Sequence, residues 1–351
     1  LANNNTSYVY IDTDGDLKSS TSAVTAGTLP RLLLYKAVTA AGAITTVTDL
    51  RRFHTRVNSR GYVTVNTDEG DFTTLAAAIE WVKIQRTAGE AAPLKIVVQG
   101  AITMAAQIDL TDFPSGLTIE GSDIGGASIT TPGTTHAFTV TTGNTDYITF
   151  RDLTFNVPTS AGSGLVNITG DAVTSYWEFN NCTITGGRDA HTIKLDSSEG
   201  QLGWKVTNCR FSGMAHTSAY CAIAAESMSG MLIDNNDFQG GTGDEFDGFV
   251  ALLYTSNNNK VINNYCRTGG TSIAVQDDNI AVSLTSATVN NRITGNKISN
   301  ARSTAYNDTS TGPTVFENNH LEACNATAGG SNGAIEVSNG IKIIRDNTII
   351  D

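Results

Sequence analysis

The sequence predicts an all-β chain whose main body is a right-handed parallel β-helix, a solenoid with rungs of about 28 residues. Three observations lead there. First, apolar segments recur in one register, among them Ile148–Phe155, Trp177–Ile184, Trp204–Phe211, Met231–Phe238, Asn259–Cys266, Arg292–Ile298, Val315–Leu321 and Ile343–Ile350. One column through them reads Leu153, Cys182, Cys209, Asn236, Asn264, Asn296, Asn319, Asn347, at spacings of 29, 27, 27, 28, 32, 23 and 28 residues. Second, the chain has 34 Gly but only 6 Pro, with Asn, Thr and Ser throughout, a composition of short strands joined by tight turns. Third, neither an 18-residue hexapeptide coil nor the calcium-binding Gly-Gly-x-Gly-x-Asp repeat occurs, which leaves the right-handed form.

In chain order, the first expected unit is a small β module over residues 1–56. Tyr8–Leu17 alternates around an Asp14-Gly15 turn, and Leu32–Val38 and Ile44–Arg51 add two strands. Asp12, Asp14 and Asp16 miss the calcium-loop pattern, because the Gly comes one position early and no Glu closes the sphere. Residues 57–90 form a connector and an amphipathic helix over Asp71–Ile84. Leu75, Ala78, Ile79 and Val82 make its apolar face, with Asp71 or Thr73 as the N-cap. This helix is expected to plug the first open end of the coil, which would otherwise expose core and strand edge. Residues 91–351 form the β-helix, opened by Lys95–Gln99 and Leu117–Gly121. A second strand in each rung is visible at Leu165–Ile168, Thr192–Leu195, Cys221–Ala224, Phe249–Leu253, Ile280–Leu284 and Ala334–Val337. No comparable lid is evident after Ile350, so more chain or a partner subunit is expected there.

The Asn column has a physical cause. Where each coil turns a corner, an inward side chain must satisfy backbone groups that no strand reaches, and an amide offers both donor and acceptor. Stacked about 4.8 Å apart, the amides also bond one another. Cys182 and Cys209 in the same column are expected to be buried small hydrophobes.

Charge and cysteines narrow the function. With 22 Lys plus Arg against 34 Asp plus Glu, the net charge of −12 disfavours nucleic acid and anionic membranes. No apolar run approaches the ~20 residues of a membrane span. Five cysteines without CxxC spacing argue against a zinc site and against a complete disulfide framework. No metal or cofactor site is expected.

The run Tyr8–Gly15, with Leu29–Thr39 and Ile44–Arg52, resembles the N-terminal attachment module of tailed-bacteriophage tail fibre and tailspike proteins. Gly70–Ile79 resembles the opening of pectate-lyase-like β-helices, tailspikes included. The resemblance implies a homotrimeric virion tail protein, extracellular during adsorption, docked by its N-terminal module to other tail or baseplate proteins and contacting a host-surface polysaccharide.

For chemistry, the leading candidates are Asp196 and Glu226, aligned one rung apart just after their strands with Tyr254 next in line. Two carboxylates on neighbouring rungs are expected about 5 Å apart, near the spacing of a retaining glycosidase. The alternative cluster is Asp244, Glu245 and Asp247, with Asp277-Asp278 as a further pair. The competing reading of each is a solvated turn acid. Tyr254, Tyr220 and Trp204 are candidate sugar-stacking aromatics, on the condition that they face outward. There is no Lys/Arg constellation of the kind pectate lyases use with calcium, and no Ser-His-Asp motif. Host-glycan recognition, an endo-acting polysaccharide depolymerase, and a structural spacer or adhesin therefore remain three readings on one scaffold.

Overall fold

The structure, a computed structural model, describes the strand backbones of 6–11, 17–20, 32–40 and 43–49 and most of residues 61–350. Within the latter, 69, 88–94, 115, 123–125, 161, 188–189, 198–199, 215–220, 241–247, 254, 268–279, 285–287, 301–303, 325–333 and 338–339 are not described. Two compact units divide the chain, Leu1–Gln99 and Gly100–Asp351.

The first unit begins with a four-stranded antiparallel sheet. Thr6–Ile11 lies between Leu17–Ser20 and Leu32–Ala40, and Ala43–Asp49 pairs on the outer side of Leu32–Ala40. The expected strands pair antiparallel, Tyr8 with Ser20 and Val38 with Thr46, while the expected Asp14-Gly15 turn lies outside the described residues. The single helix described, α1 (Leu75–Thr87), packs against the parallel pair Val63–Val65 and Lys95–Val98. It buries the expected face, with Trp81 and Gln85 in addition. Its cap differs from expectation: Thr74 Oγ1 accepts the Ala77 N–H at 3.2 Å, the geometry of an N-cap one residue after Thr73. Asp71 is engaged elsewhere, accepting from Thr64 N and Thr64 Oγ1, both at 2.9 Å. No helix among the described residues is long and apolar enough to cross a membrane.

The second unit is the parallel β-helix, and each rung contributes to three sheets. Within this unit, sheet I runs from Leu117–Gly121 to Lys342–Arg345. Sheet II has ten strands from Ala101–Thr103 to Thr348–Ile350, and sheet III nine from Ile108–Asp109 to Ile335–Val337. Every pairing within these sheets is parallel, as successive crossovers of one hand require. A representative rung reads Leu232–Asp234 in sheet I, a two-residue corner, Asp237–Gly240 in sheet II, and Gly248–Leu253 in sheet III.

The corner between sheets I and II explains the sequence column. Its second residue points inward and is buried in Leu153, Cys182, Cys209, Asn236, Asn264, Asn296 and Asn319 alike. Each amide of the ladder reaches the next: Asn236 Nδ2 donates to Asn264 Oδ1 at 2.9 Å, and Asn264 to Asn296 and Asn296 to Asn319 at 3.0 Å. The same nitrogens bond carbonyls of the preceding rung, such as Val206 O from Asn236 at 2.8 Å and Ile233 O from Asn264 at 3.0 Å. The first corner residue adopts positive φ in every rung from Asp152 onward, through Asn181, Asn208, Asn235, Asn263, Gly295, Asn318 and Asp346. Asn, Asp and Gly are the residues that tolerate the left-handed region, so the recurring Asn-Asn pair is one residue for the turn and one for the inside. The hydrogen bond with Cys209, and after it burial, pushes the Cys182 thiol well up, in keeping with an inert packing residue.

Stacked side chains fill the interior. Phe150 lies on Phe179 and Phe211 on Phe238, with ring centroids 4.8 Å apart in each case, one rung spacing. Before sheet I, a second inward column runs Trp177, Trp204, Met231, Asn259, Asn291, all buried. Its amides repeat the ladder logic: Asn259 Oδ1 accepts from Met231 N at 2.7 Å and Asn291 Oδ1 from Asn259 N at 2.9 Å. Near the last rungs, buried Asp308 is held by Lys342 Nζ at 2.8 Å, Tyr306 OH at 2.6 Å, Ser310 N at 2.9 Å and Thr314 Oγ1.

Candidate functional site

Along Ile193, Lys194, Leu195 and Asp196 of sheet III, buried apolar side chains alternate with outward polar ones. Ile193 and Leu195 are buried while Lys194 and Asp196 face out; on the next rung Ile223 and Ala225 are buried and Glu226 faces out. Leu195 pairs with Ala225, so Asp196 and Glu226 stand in register on adjacent rungs, as the alignment of the sequence anticipated. The third member differs, because Glu226 is opposite Leu253. Tyr254 is outside the described residues, as are Tyr220, Asp244, Glu245, Asp247 and Asp277-Asp278.

Each carboxyl is among the causes that shift the other. Lys194 Nζ sits 2.7 Å from Asp196 Oδ2. That ammonium, more than any other group, holds Asp196 below the ordinary carboxylate range. Partial burial, followed by the hydrogen bond and charge of Asp196, pushes Glu226 up to about 7. At neutral pH one carboxyl is thus ionised beside a cation while its neighbour retains a proton over much of the range, the division of labour of an acid–base pair.

Two histidines that the sequence reading left scattered border this pair. His136 Nε2 lies 3.1 Å from His191 O, and His191 Nδ1 accepts the Cys221 N–H at 2.9 Å. Burial is the first cause lowering both, His191 to about 4 with Lys194 adding to the effect. Both are neutral at neutral pH and act as cross-rung ties. Their signal in the sequence was position: His191 stands five residues before Asp196, two residues ahead of the strand that carries it.

Carboxyl spacing constrains the chemistry. Retaining glycosidases place the pair about 5–5.5 Å apart and inverting ones about 6.5–9.5 Å. Adjacent rungs about 4.8 Å apart at the backbone put Asp196 and Glu226 near the retaining spacing.

The aromatic expectation needs correction at Trp204. Its ring is fully buried, stacked 5.0 Å from Trp177, and its Nε1 donates to Thr174 O at 3.0 Å. The first residue of a repeat strand is an inward position, and an indole fits there because the preceding rung supplies a carbonyl for its N–H. Among the described residues the exposed aromatics are instead Tyr147 and Tyr176, each one residue before the inward column.

No family model matches the chain, and no curated protein matches it either. Solved structures do. The chain is similar to pectate lyase Pel9A, with a TM-score of 0.50 at 14% identity, covering 82% of this chain and 77% of that one. It is also similar to ORF18 of Geobacillus virus E2, with a TM-score of 0.50 at 12% identity, over 87% of this chain and 66% of the viral one. At these identities the likeness is one of fold, and the fold is the pectate-lyase-like parallel β-helix.

Proposed function

We propose that this chain is a tail-fibre or tailspike-type virion protein that adsorbs to a host-surface polysaccharide on the outer face of sheet III. The observation that carries the reading is the Asp196–Glu226 pair, two outward carboxyls in register beside Lys194 on a face built of parallel rungs. Such a face offers donors and acceptors at a repeat that matches an extended linear polymer. A viral protein on the same fold, and the N-terminal run that resembles a tail-attachment module, support the virion assignment. In this reading the protein is a homotrimer that docks through residues 1–56 to tail or baseplate proteins.

A second reading, endo-acting hydrolysis of that polysaccharide, is favoured by the unequal protonation of the pair. Glu226 carries the proton a leaving glycosidic oxygen needs, and Asp196 is the base or nucleophile. Incubating the full chain with purified host capsule or lipopolysaccharide tests both. Polysaccharide retention by wild type supports recognition, and its absence for capsule and lipopolysaccharide alike overturns it. Release of new reducing ends by wild type, lost in Asp196→Asn with Glu226→Gln, supports hydrolysis; binding without release in both proteins eliminates it. Sedimentation equilibrium reads the expected trimer.

A further inference from the structure

The column that precedes sheet I runs Gly116, Tyr147, Tyr176, Gly203, Gly230, Asn258, Asn290, and every member has positive φ. Gly and Asn accept that conformation readily; tyrosine does not, because its Cβ crowds the backbone. Tyr147 at φ 58 and Tyr176 at φ 59 nevertheless occupy it, and the two residues are 54% and 46% exposed. Neither burial nor backbone preference accounts for large aromatics here, which is the combination of strain and exposed apolar surface expected of a binding element.

The rings form a ladder of defined direction. Tyr147 and Tyr176 stack at 4.9 Å with planes 13° apart. On the far side, the Tyr176 ring already fills the space over Gly203, where a Cβ would lie 2.7 Å from Tyr176 Cδ1. On the near side lies the rung of Gly116, whose N–H bonds Asp146 O at 3.1 Å and where an added Cβ would meet nothing within 4 Å among the described residues. The stack is therefore closed at one end and open at the other, with a position one rung away that lacks a side chain.

We infer that Tyr147 and Tyr176 form a sugar-binding platform that takes a β-linked pyranose with equatorial hydroxyls, stacked on Tyr147 over Gly116. Such a ring presents axial C–H bonds on both faces, and these polarised hydrogens meet the negative face of the phenol ring while the hydroxyls stay in water. The platform deepens the glycan-recognition reading and rests on it for the identity of the natural polymer, but the contact itself is testable with a free oligosaccharide.

The probe is cellohexaose, a neutral β-linked glucopyranose chain, followed by saturation-transfer NMR and titration calorimetry on the full chain. Wild type is expected to transfer saturation to the ring C–H protons. Tyr147→Gly suits the backbone of the column, so its Tm is expected to stay within about 3 °C while affinity falls about tenfold or more. Gly116→Asn, compatible with positive φ, is expected to block the open position with both tyrosines intact. No transfer to cellohexaose, equal transfer in Tyr147→Gly, or a changed oligomeric mass in that variant would each overturn the platform, the last by making the pair a subunit contact. Loss of the platform alone, with host polysaccharide still retained, leaves the broader reading standing; probe binding without retention separates them in the other direction.

Discussion

At the residue scale, Asp196 and Glu226 show how one contact sets two opposite protonation states. Lys194 stabilises charge on Asp196, and that charge, added to partial burial, disfavours charge on Glu226. For a carboxyl raised from 4.5 to about 7, the folded state binds more protons than the unfolded state between those values. Its contribution to stability is complete below pH 4.5 and is lost as pH rises through about 7. Melting scans from pH 4 to 8 should show wild type losing Tm relative to Glu226→Gln across that window; parallel curves would mean the carboxyl is not perturbed. In the hydrolytic reading the same proton sets the alkaline limb of the rate, with activity falling above pH about 7. Replacing Lys194 with Met should bring Asp196 toward the ordinary range and move the acid limb upward, measured as the pH dependence of reducing-end release.

At the scale of the elements, the corners between sheets I and II hold the rungs in register. Asn264 serves four partners, accepting from Asn236 N and Nδ2 and donating through Nδ2 to Ile233 O and Asn296 Oδ1. Asn264→Leu fits by volume but strands buried groups on both neighbouring rungs, so a loss of about 2–4 kcal/mol is expected by chemical denaturation. Upstream, Leu153, Cys182 and Cys209 hold the same position without an amide, and a Leu introduced at Cys182 should cost much less than one at Asn264. The Asp308–Lys342 pair joins later rungs and is buried on both sides. Burial alone would raise Asp308, but bonds from Lys342, Ser310, Thr314 and Tyr306 outweigh it and hold the carboxyl below its usual range. The stability it contributes is present above the unfolded carboxylate pKa of about 3.9 and is lost as pH falls through the depressed folded value. Lys342→Met leaves that charge buried and unpaired and should cost about 3–5 kcal/mol in urea unfolding, whereas pairing it with Asp308→Asn should recover most of the loss.

For the molecule as a whole, a net charge of −12 governs the choice of polymer. Long-range repulsion works against a polyanion and is indifferent to a neutral glycan. Retention of a neutral polysaccharide should therefore change less than about twofold between 50 and 500 mM NaCl, measured by calorimetry; a steep dependence would point to a charged ligand held by local cations such as Lys194.

The sequence by itself determined the solenoid, because its period, its inward Asn column and its stacked Phe and Ile positions are each the direct record of rungs lying one above another. It also placed Asp196 and Glu226 just after corresponding strands of adjacent rungs, although their distances from the repeat differ, and the pairing of Leu195 with Ala225 then set their register. The tertiary structure alone decided which side chains face outward where the chain leaves a strand. Trp204 and Tyr176 are both aromatics at the start of sheet I, yet one is buried and the other exposed, because a single residue in the left-handed region reverses the side-chain direction. The N-cap of α1 went to Thr74 for a similar reason: Asp71 lost its capping role to Thr64, a competitor brought near only by the fold. Repetition along the chain is visible in one dimension, whereas the facing of a side chain at a corner depends on backbone torsions and neighbours that exist only once the rungs have stacked.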